Sequence, residues 1–422
     1  MKTLIVGAGI AGNALAFWLS KLGHEVTVIE HFNTLRTTGL QIDLRGHGIQ
    51  VLKRMGLEEA FRACMAPEEG LEIVDKSNRR WAFFPANRSG KGLQGFTTDY
   101  EIMRGDFCRM MHQATKDRVK YVFGRSVSSL EETDNAVDVG FTDGSADRFD
   151  LVVGADGQAS RTRRLMLGPN AKDALLPLGG SYIGYYTIKR PIRDGERYVA
   201  TSYMATRGRS VMVRRHSPTE MQVYLMCDTN SERLKRAHRG PVDEEKAALT
   251  EIFQDAGWKT DEFLKDLPGA TNFYCEHLAL VKMESWSRRR VALVGDAAYC
   301  PSAATGMGTT CGIVGAYILA GEIGRHCPRP GQGGGDAHQG SSGVLEALRA
   351  YEQKFRPFMD QVQKGISTDD GFAKGMPGTP FTIAVMNCLM GLASFLRVNV
   401  MGRFFLKEKV TGWDLPEYEE MV

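Results

Sequence analysis

The chain has 422 residues, 43% of them apolar and 24% charged, with 53 Lys+Arg against 50 Asp+Glu for a formal net charge of +3. That length holds two or three domains with large cores in an ordinary globular composition, and the near balance of charge, without a long Lys/Arg run, excludes a nucleic-acid-binding tract. Eight scattered cysteines with no CxxC pair and no His/Cys cluster at ligand spacing exclude a disulfide framework and give no metal centre, which fits a reducing compartment.

From the N-terminus, Leu4-Ile5-Val6 runs into Gly7-Ala8-Gly9-Ile10-Ala11-Gly12, and Glu25-Val26-Thr27-Val28-Ile29 ends on Glu30. This predicts a strand, a glycine turn, a helix from about Ala11 to Leu22, a second strand and a carboxylate. Gly7 permits the tight turn, Gly9 lets the backbone approach a pyrophosphate, and Gly12 lets helix and strand close up. The helix N-terminus favours negative charge, and Glu30 stands where a carboxylate binds ribose hydroxyls. The chain therefore handles a dinucleotide. Its first strand starts at residue 3, so no leader is expected and a cytoplasmic protein is.

Further along, Gly48–Met55 reads as a helix, Leu71–Val74 and Trp81–Phe84 as a hairpin, and Arg104–Ala114 as a helix with Phe107, Met110 and Met111 on one face. Strands follow at Lys120–Phe123, Val127–Glu131, Ala136–Phe141 and Asp150–Val153, the last ending in Gly154-Ala155-Asp156-Gly157. The short basic run Arg161–Arg164 reads as a solvated turn, as does Arg288–Arg290. Tyr182–Lys189, Arg197–Thr206, Ser210–Arg215 and Met221–Met226 predict an antiparallel sheet, and Asp243–Ala256 a helix. Arg290–Val294 is a buried strand of parallel type leading into Gly295-Asp296. A long helix is predicted from Gly308 to Arg325, a flexible surface loop over Gly331–Gly343 and a helix over Val344–Ile366. Phe381–Leu396 falls short of a membrane span; a buried or amphipathic helix is expected, with a membrane-surface helix as the alternative.

The strands at 1–30, 150–154 and 290–294 share one sheet-forming pattern, so the dinucleotide domain is assembled from 1–70, 98–177 and 281–360. A β-sheet domain at 71–97 and 178–280 is inserted, and 361–422 is a C-terminal helical segment. Asp296 reads as a carboxylate for a ribityl hydroxyl, and the helix opening at Gly306-Met307-Gly308 offers N–H groups to a pyrophosphate or flavin carbonyl. For Asp156, ligand contact and the tying of its own turn are both open.

These three motifs, in this order, resemble the single-component flavin-dependent aromatic hydroxylases of the para-hydroxybenzoate hydroxylase fold. The chain is most similar to the branch with the tetracycline-inactivating monooxygenases and tailoring enzymes of secondary metabolism. The resemblance covers about residues 1–360 and implies an α/β protein: a Rossmann-like FAD-binding domain, an inserted antiparallel substrate sheet and C-terminal helices. It implies bound FAD, with Gly7, Gly9 and Gly12 at the pyrophosphate, Glu30 at the adenosine ribose, Arg104 at the flavin side and Asp296 at the ribityl chain. Asp156 and Gly295 belong to its second and third motifs. Gly306, Met307 and Gly308 would lie beside the isoalloxazine, and Arg45 resembles a flavin-proximal basic position. The chain departs from the family pattern at His31 (usually arginine), Tyr299 (histidine), Ala303 (proline), Met307 (glutamine) and Thr310 (asparagine).

The implied activity is a monooxygenase. NADPH or NADH, visiting transiently, reduces FAD; O2 adds to give a flavin C4a-hydroperoxide, which hydroxylates or epoxidises an aromatic, polyketide-like or other natural product. Such an oxidant needs a dry cavity and donors such as the backbone at Gly306 and Gly308 rather than a protein nucleophile, and His216 and His277 read as surface or packing residues. Tyr185, Met204, Met212, Arg214 and Tyr224 are candidate substrate-pocket residues on strands whose inward face the sequence leaves open. Arg214 is expected to orient a phenolate or enolate. The alternatives are an FAD-dependent reductase without oxygen transfer and a ligand-binding flavoprotein without turnover. No Trp-x-Trp-x-Ile-Pro segment marks a halogenase. A monomer or homodimer is expected.

Overall fold

The computed structural model describes residues 1–88, 97–327, 337–366, 368, 377–397 and 410–421. Its central sheet has six strands in the order Ser287–Arg288, Val291–Leu293, Leu151–Gly154, Lys2–Val6, Glu25–Glu30 and Lys120–Phe123. All neighbours are parallel except the outermost pair Ser287–Arg288 and Val291–Leu293. Three distant stretches thus lie side by side, with Thr3 opposite Leu151 and Val153 opposite Ala292. Continuous apolar runs such as Leu151–Gly154 suit this place, because a parallel sheet is covered on both faces. Lys120–Phe123 extends this sheet, and the antiparallel meander beside it is Val127–Glu132, Val137–Phe141 and Ala146–Phe149.

A second sheet has seven strands: Tyr274–Val281, Leu175–Lys189, Glu220–Asp228, Arg209–Arg215, Ala200–Ala205, Gly70–Val74 and Arg80–Pro85, in that order. The expected hairpin is its far edge. The sheet is not wholly antiparallel, because Gly70–Val74 joins Ala200–Ala205 in parallel. The edge strand Tyr274–Val281 has no counterpart in the sequence reading.

Register decides which face looks where. Tyr182, Tyr186, Val211, Val223 and Leu225 pack against the helices Glu232–Ala237, Val242–Phe253 and Thr260–Asp266 through Leu249, Phe253 and Phe263. On the opposite face, Ile183, Tyr185, Met212, Tyr224, Leu278 and Leu280 pack against Leu40 and Ile366, which lie outside this sheet.

Several expectations need correcting. Residues 337–343 open the helix Ala337–Gln363, so the proposed Gly331–Gly343 loop is helical there; the rest of it lies outside the described residues. Parts of the 71–97 and 361–422 segments also lie outside them. Arg163 and Arg290 are buried rather than solvated, with their guanidinium N–H groups donating to carbonyls at Ala297, Gln158, Asp134 and Asp150. The helix Pro380–Phe395 is neither buried nor amphipathic in the usual sense. It docks on Arg80–Pro85 through Met390 and small residues, with the Ser394 hydroxyl bonded to the Phe83 carbonyl at 2.7 Å and Gly391 close to Trp81, while Phe381, Leu389, Leu392 and Phe395 face outward. Among the described residues, no helix is long and apolar enough to cross a membrane.

Candidate active site

The first strand ends in a turn that only glycine fits. A Cβ on Gly12 would stand 2.0 Å from the Gly7 carbonyl oxygen, and Gly7 has φ of 109° with its own hypothetical Cβ 2.7 Å from the Ala155 oxygen. The Gly7 turn is therefore pressed against the Ala155–Asp156 turn of the neighbouring strand. Glu30 closes the same corner. Its carboxylate accepts from the Ala8 amide at 3.0 Å and the Phe32 amide at 3.1 Å, and His31 Nδ1 lies 2.7 Å away. Burial alone raises its pKa, but these hydrogen bonds outweigh it and hold the carboxyl below the usual range. His31, where an arginine was usual, thus still places a proton donor on this acid.

Arg104 stands over Gly9, with a second guanidinium, Arg36, close enough to feel its charge. Arg104 opens the helix Arg104–Thr115, its Nη2 3.7 Å from where a Gly9 Cβ would be, and its Nη1 is buried without a hydrogen-bond partner. The Arg36 guanidinium carbon lies over the rings of Tyr274 and Phe32, 5.1 and 5.7 Å from their centroids, and has no ion-pair partner among the described residues. Burial, then repulsion from Arg104, lowers the Arg36 pKa. A guanidinium over a glycine turn and a helix N-terminus, with a second like charge nearby, makes a site for a dianion. The residues present fit the pyrophosphate of FAD.

Gly295-Asp296 forms the other wall. Gly295 has φ of 67°, and a Cβ there would lie 2.8 Å from the Ala11 Cβ, which brings the starts of the helices Ile10–Lys21 and Gly308–His326 together. Asp296 sits between them, 4.0 Å from a hypothetical Gly308 Cβ; burial raises its pKa, opposed by a hydrogen bond from Cys300 and the charge of Arg104. Gly306 takes a left-handed conformation and Met307 is buried. The Thr310 hydroxyl accepts from the Arg45 amide at 2.9 Å and donates to its carbonyl at 3.2 Å, so it ties the Arg45 turn to this helix. The Arg45 side chain is itself buried and paired with Asp43. Tyr299 points away from the crevice: it fills the notch at Gly315 and meets Tyr351 at 3.2 Å. Asp156 is occupied with its own turn, accepting from Thr162 N at 2.9 Å, the Thr162 hydroxyl at 3.0 Å and the Ser160 hydroxyl.

All five expected pocket residues lie on one face of the seven-stranded sheet. Met212 is opposite Tyr224, Tyr224 opposite Tyr185 and Ser202 opposite Met212; Met204 and Arg214 are two positions along from members of that row. The expectation of a free cation at Arg214 is corrected. Its Nε donates to Glu68 at 2.6 Å and its Nη2 to Glu68 at 2.7 Å and Glu101 at 2.8 Å, all three side chains being buried. Burial pushes the Glu101 carboxyl well up, Arg214 pulls it back, and the charges of Glu68 and Asp43 raise it again. Gln41 also donates to Glu101, so this cluster latches the ribbon Gln41–Asp43 and Glu101–Met103 to the sheet; Arg45 and Arg104 follow those two strands directly.

The sequence reading missed Arg36, Glu68, Glu101, Arg163 and Glu276, because each takes its meaning from a partner far along the chain. His277 stacks on Tyr182 at 4.2 Å, and His216 contacts Gln222 and Glu220. Behind the sheet, His238, Glu245 and Cys275 come within 4.8 Å of one another, a set of ligand types that no local spacing announced.

The family model for the FAD binding domain matches residues 1–336. An FAD-dependent monooxygenase of Sarocladium schorii, asL4, is 47% identical over 425 residues, covering 100% of this chain and 99% of that protein. The flavin-dependent monooxygenase eupH of a Phoma species is 38% identical over 372 residues, 85% of this chain and 84% of its own. Among solved structures, the tetracycline destructase Tet(51) superposes with a TM-score of 0.75 at 28% identity, covering 99% of both chains. The chain thus carries an FAD binding domain and belongs to the family of FAD-dependent monooxygenases.

Proposed function

We propose that this monooxygenase adds one oxygen atom from O2 to an electron-rich aromatic or polyketide-like natural product, at the expense of NADPH or NADH. The observation that carries this reading is that the Arg104–Gly9 turn connects, through Arg36 on the Tyr274 ring, to the single sheet face that bears Tyr185, Met204, Met212 and Tyr224. Sarocladium and Phoma relatives of high coverage are named monooxygenases, and neither a reductase nor a non-catalytic reading has a comparable observation behind it.

FAD, when bound, supplies the redox chemistry with nicotinamide and O2. The chain does the rest. Gly7, Gly9 and Gly12 let the backbone approach the pyrophosphate, Arg36 and Arg104 neutralise it, and Glu30 accepts from the adenosine ribose. Asp296 would accept from the ribityl hydroxyls, and the start of the helix at Gly308 would serve the flavin ring; the Gly306 and Met307 N–H groups already donate to the Ala303 carbonyl and the Thr305 hydroxyl. In this reading the two tyrosines and two methionines form an apolar wall that excludes water and holds an extended ring system. The Arg214–Glu68–Glu101 cluster positions that wall against the cofactor rather than touching substrate as a free charge.

The FAD-binding unit would comprise 1–70, 98–177 and 281–360, and the substrate unit 71–97 and 178–280, with strand Leu175–Lys189 moving one border to residue 175. A cytoplasmic monomer or homodimer accompanies this reading. The outward apolar residues of Pro380–Phe395 support a weak association with a membrane surface.

The test is NAD(P)H oxidation and O2 uptake over a panel of phenolic and polyketide-like compounds, with mass spectrometry for the gain of one oxygen atom. NAD(P)H oxidation that converts the compound without oxygen gain would move the assignment to a reductase.

A further inference from the structure

On the face of the seven-stranded sheet that helices cover, three elements bring together an imidazole, a carboxyl and a thiol. His238 ends the helix Glu232–Ala237, Glu245 stands in the first turn of Val242–Phe253, and Cys275 lies on the edge strand Tyr274–Val281. One imidazole nitrogen, one carboxylate oxygen and the sulfur all lie within 4.8 Å of one another. The His238 and Glu245 side chains are 13% and 9% exposed and Cys275 is 5% exposed, so this is an interior cluster rather than a surface patch of acids. Their spacing along the chain matches no metal motif, which is why the expectation of no metal centre passed over them.

The polar bonds inside the cluster do not close. Glu245 Oε1 accepts from the Arg239 amide at 2.8 Å and lies 3.2 Å from His238 Nδ1, and among the described residues no lysine or arginine forms an ion pair with it. His238 Nε2 is buried with no hydrogen-bond partner, and Cys275 is in no disulfide. Tyr182 and His277 meet the His238 ring edge-on, at 5.6 and 5.9 Å, and hold its plane without bonding its nitrogen. A buried carboxylate is ordinarily paired with a cation or bound to a metal, and here the two other groups beside it are metal ligands in their own right.

We propose that His238, Glu245 and Cys275 bind one Zn2+ ion, with a water as fourth ligand, and that the ion staples the helical layer to the edge strand. The donor set selects the metal: a thiolate and an imidazole suit Zn2+, whereas Mg2+ and Ca2+ take oxygen ligands. Charge balances, since one thiolate and one carboxylate neutralise a divalent ion; the thiol proton leaves to solvent as the metal binds. Bonds of about 2.0–2.3 Å put tetrahedral ligands roughly 3.3–3.8 Å apart, so a cluster already within 4.8 Å closes by small side-chain rotations. The consequence reaches the other face of the strand. Cys275 points back to the helices while its neighbour Tyr274 points forward, under Arg36, so the ion would also fix the strand that carries that ring.

The experiment uses the FAD-loaded full chain with the exposed Cys64 and Cys388 replaced by serine, so that surface thiols do not compete. After chelator treatment, Zn2+ is titrated in competition with a chelator and the bound metal is counted. One equivalent per chain should bind. X-ray absorption at the zinc edge should show one sulfur at about 2.3 Å beside nitrogen and oxygen at about 2.0–2.2 Å. Zn2+ at about 100 times its Kd should raise the melting temperature, and Mg2+ should not. Cys275→Ala and Glu245→Gln should each weaken Zn2+ binding by more than about 100-fold, beyond the loss of an outer contact, and remove the rise in melting temperature. No stoichiometric binding, a bound ion without a sulfur neighbour, equal stabilisation by Mg2+, or an affinity unchanged in Cys275→Ala overturns the site. If Cys275→Ala fails to fold, Glu245→Gln and the sulfur signal of the unsubstituted cluster decide.

Discussion

Replacing Arg214 with methionine tests the latch between the two sheets. Methionine keeps much of the side chain's volume but leaves Glu68 and Glu101 facing each other, both buried, with Gln41 and Thr97 as their remaining side-chain donors among the described residues. Removing one partner of a buried ion pair costs about 3–5 kcal/mol, because the remaining charge is left uncompensated. The cost depends on pH. Burial and the neighbouring acids already push the Glu101 carboxyl up, and Arg214 is the group that pulls it down. Without the arginine the Glu101 carboxyl is driven further up. A carboxyl raised on folding binds more protons folded than unfolded, so its stabilising effect is complete below the ordinary carboxyl range and is lost as pH climbs through the raised value. Each such carboxyl contributes about 1.4 kcal/mol per pH unit while it is protonated only in the folded chain. The loss in Arg214→Met should therefore be smallest near pH 5 and grow towards pH 8. Adding Glu68→Gln should recover at least half of it. Urea denaturation across that pH range measures both effects. A variant as stable as the parent at pH 8, or a loss that does not change with pH, refutes the reasoning.

Other substitutions separate cofactor binding from folding. Arg104→Ala removes a guanidinium nitrogen that has no protein partner, so FAD affinity should fall roughly 10- to 100-fold, one or two charged hydrogen bonds, with little change in apoprotein melting; an equal loss of apoprotein stability would count against the crevice. Gly12→Ala would place a methyl group 2.0 Å from the Gly7 oxygen, and the purified protein should be colourless. Thr310→Val breaks both hydrogen bonds to the Arg45 backbone at a cost of about 1–3 kcal/mol; the visible spectrum of bound FAD should shift, and Thr310→Ser should restore it.

Local motifs were legible wherever a short run of chain carries its own geometry. The Gly7–Gly12 turn with Glu30, and the apolar strands that end at Gly154 and Gly295, needed no knowledge of what they touch, since steric limits on glycine and the burial of a parallel sheet are written in a few residues. Arg163 and Arg290 were misread for the opposite reason: a basic run looks solvated until carbonyls from distant turns close around it. The helix Pro380–Phe395 shows the same limit, because Met390 with the small residues Gly391 and Ser394 makes the contact with Arg80–Pro85 while most of its large apolar side chains face outward.

By itself the sequence determined that this chain binds a dinucleotide on a discontinuous parallel sheet, and which residues could line a second, aromatic one. Only the tertiary structure decided the inward face, since a strand's alternation is symmetrical until helices cover one side. It alone also revealed that Arg214 is spent on Glu68 and Glu101, that Arg36 lies over Tyr274, and that Glu276 shares a sheet face with Tyr185. Charge takes its meaning from what lies within a few ångströms, and those neighbours are set by folding rather than by order along the chain.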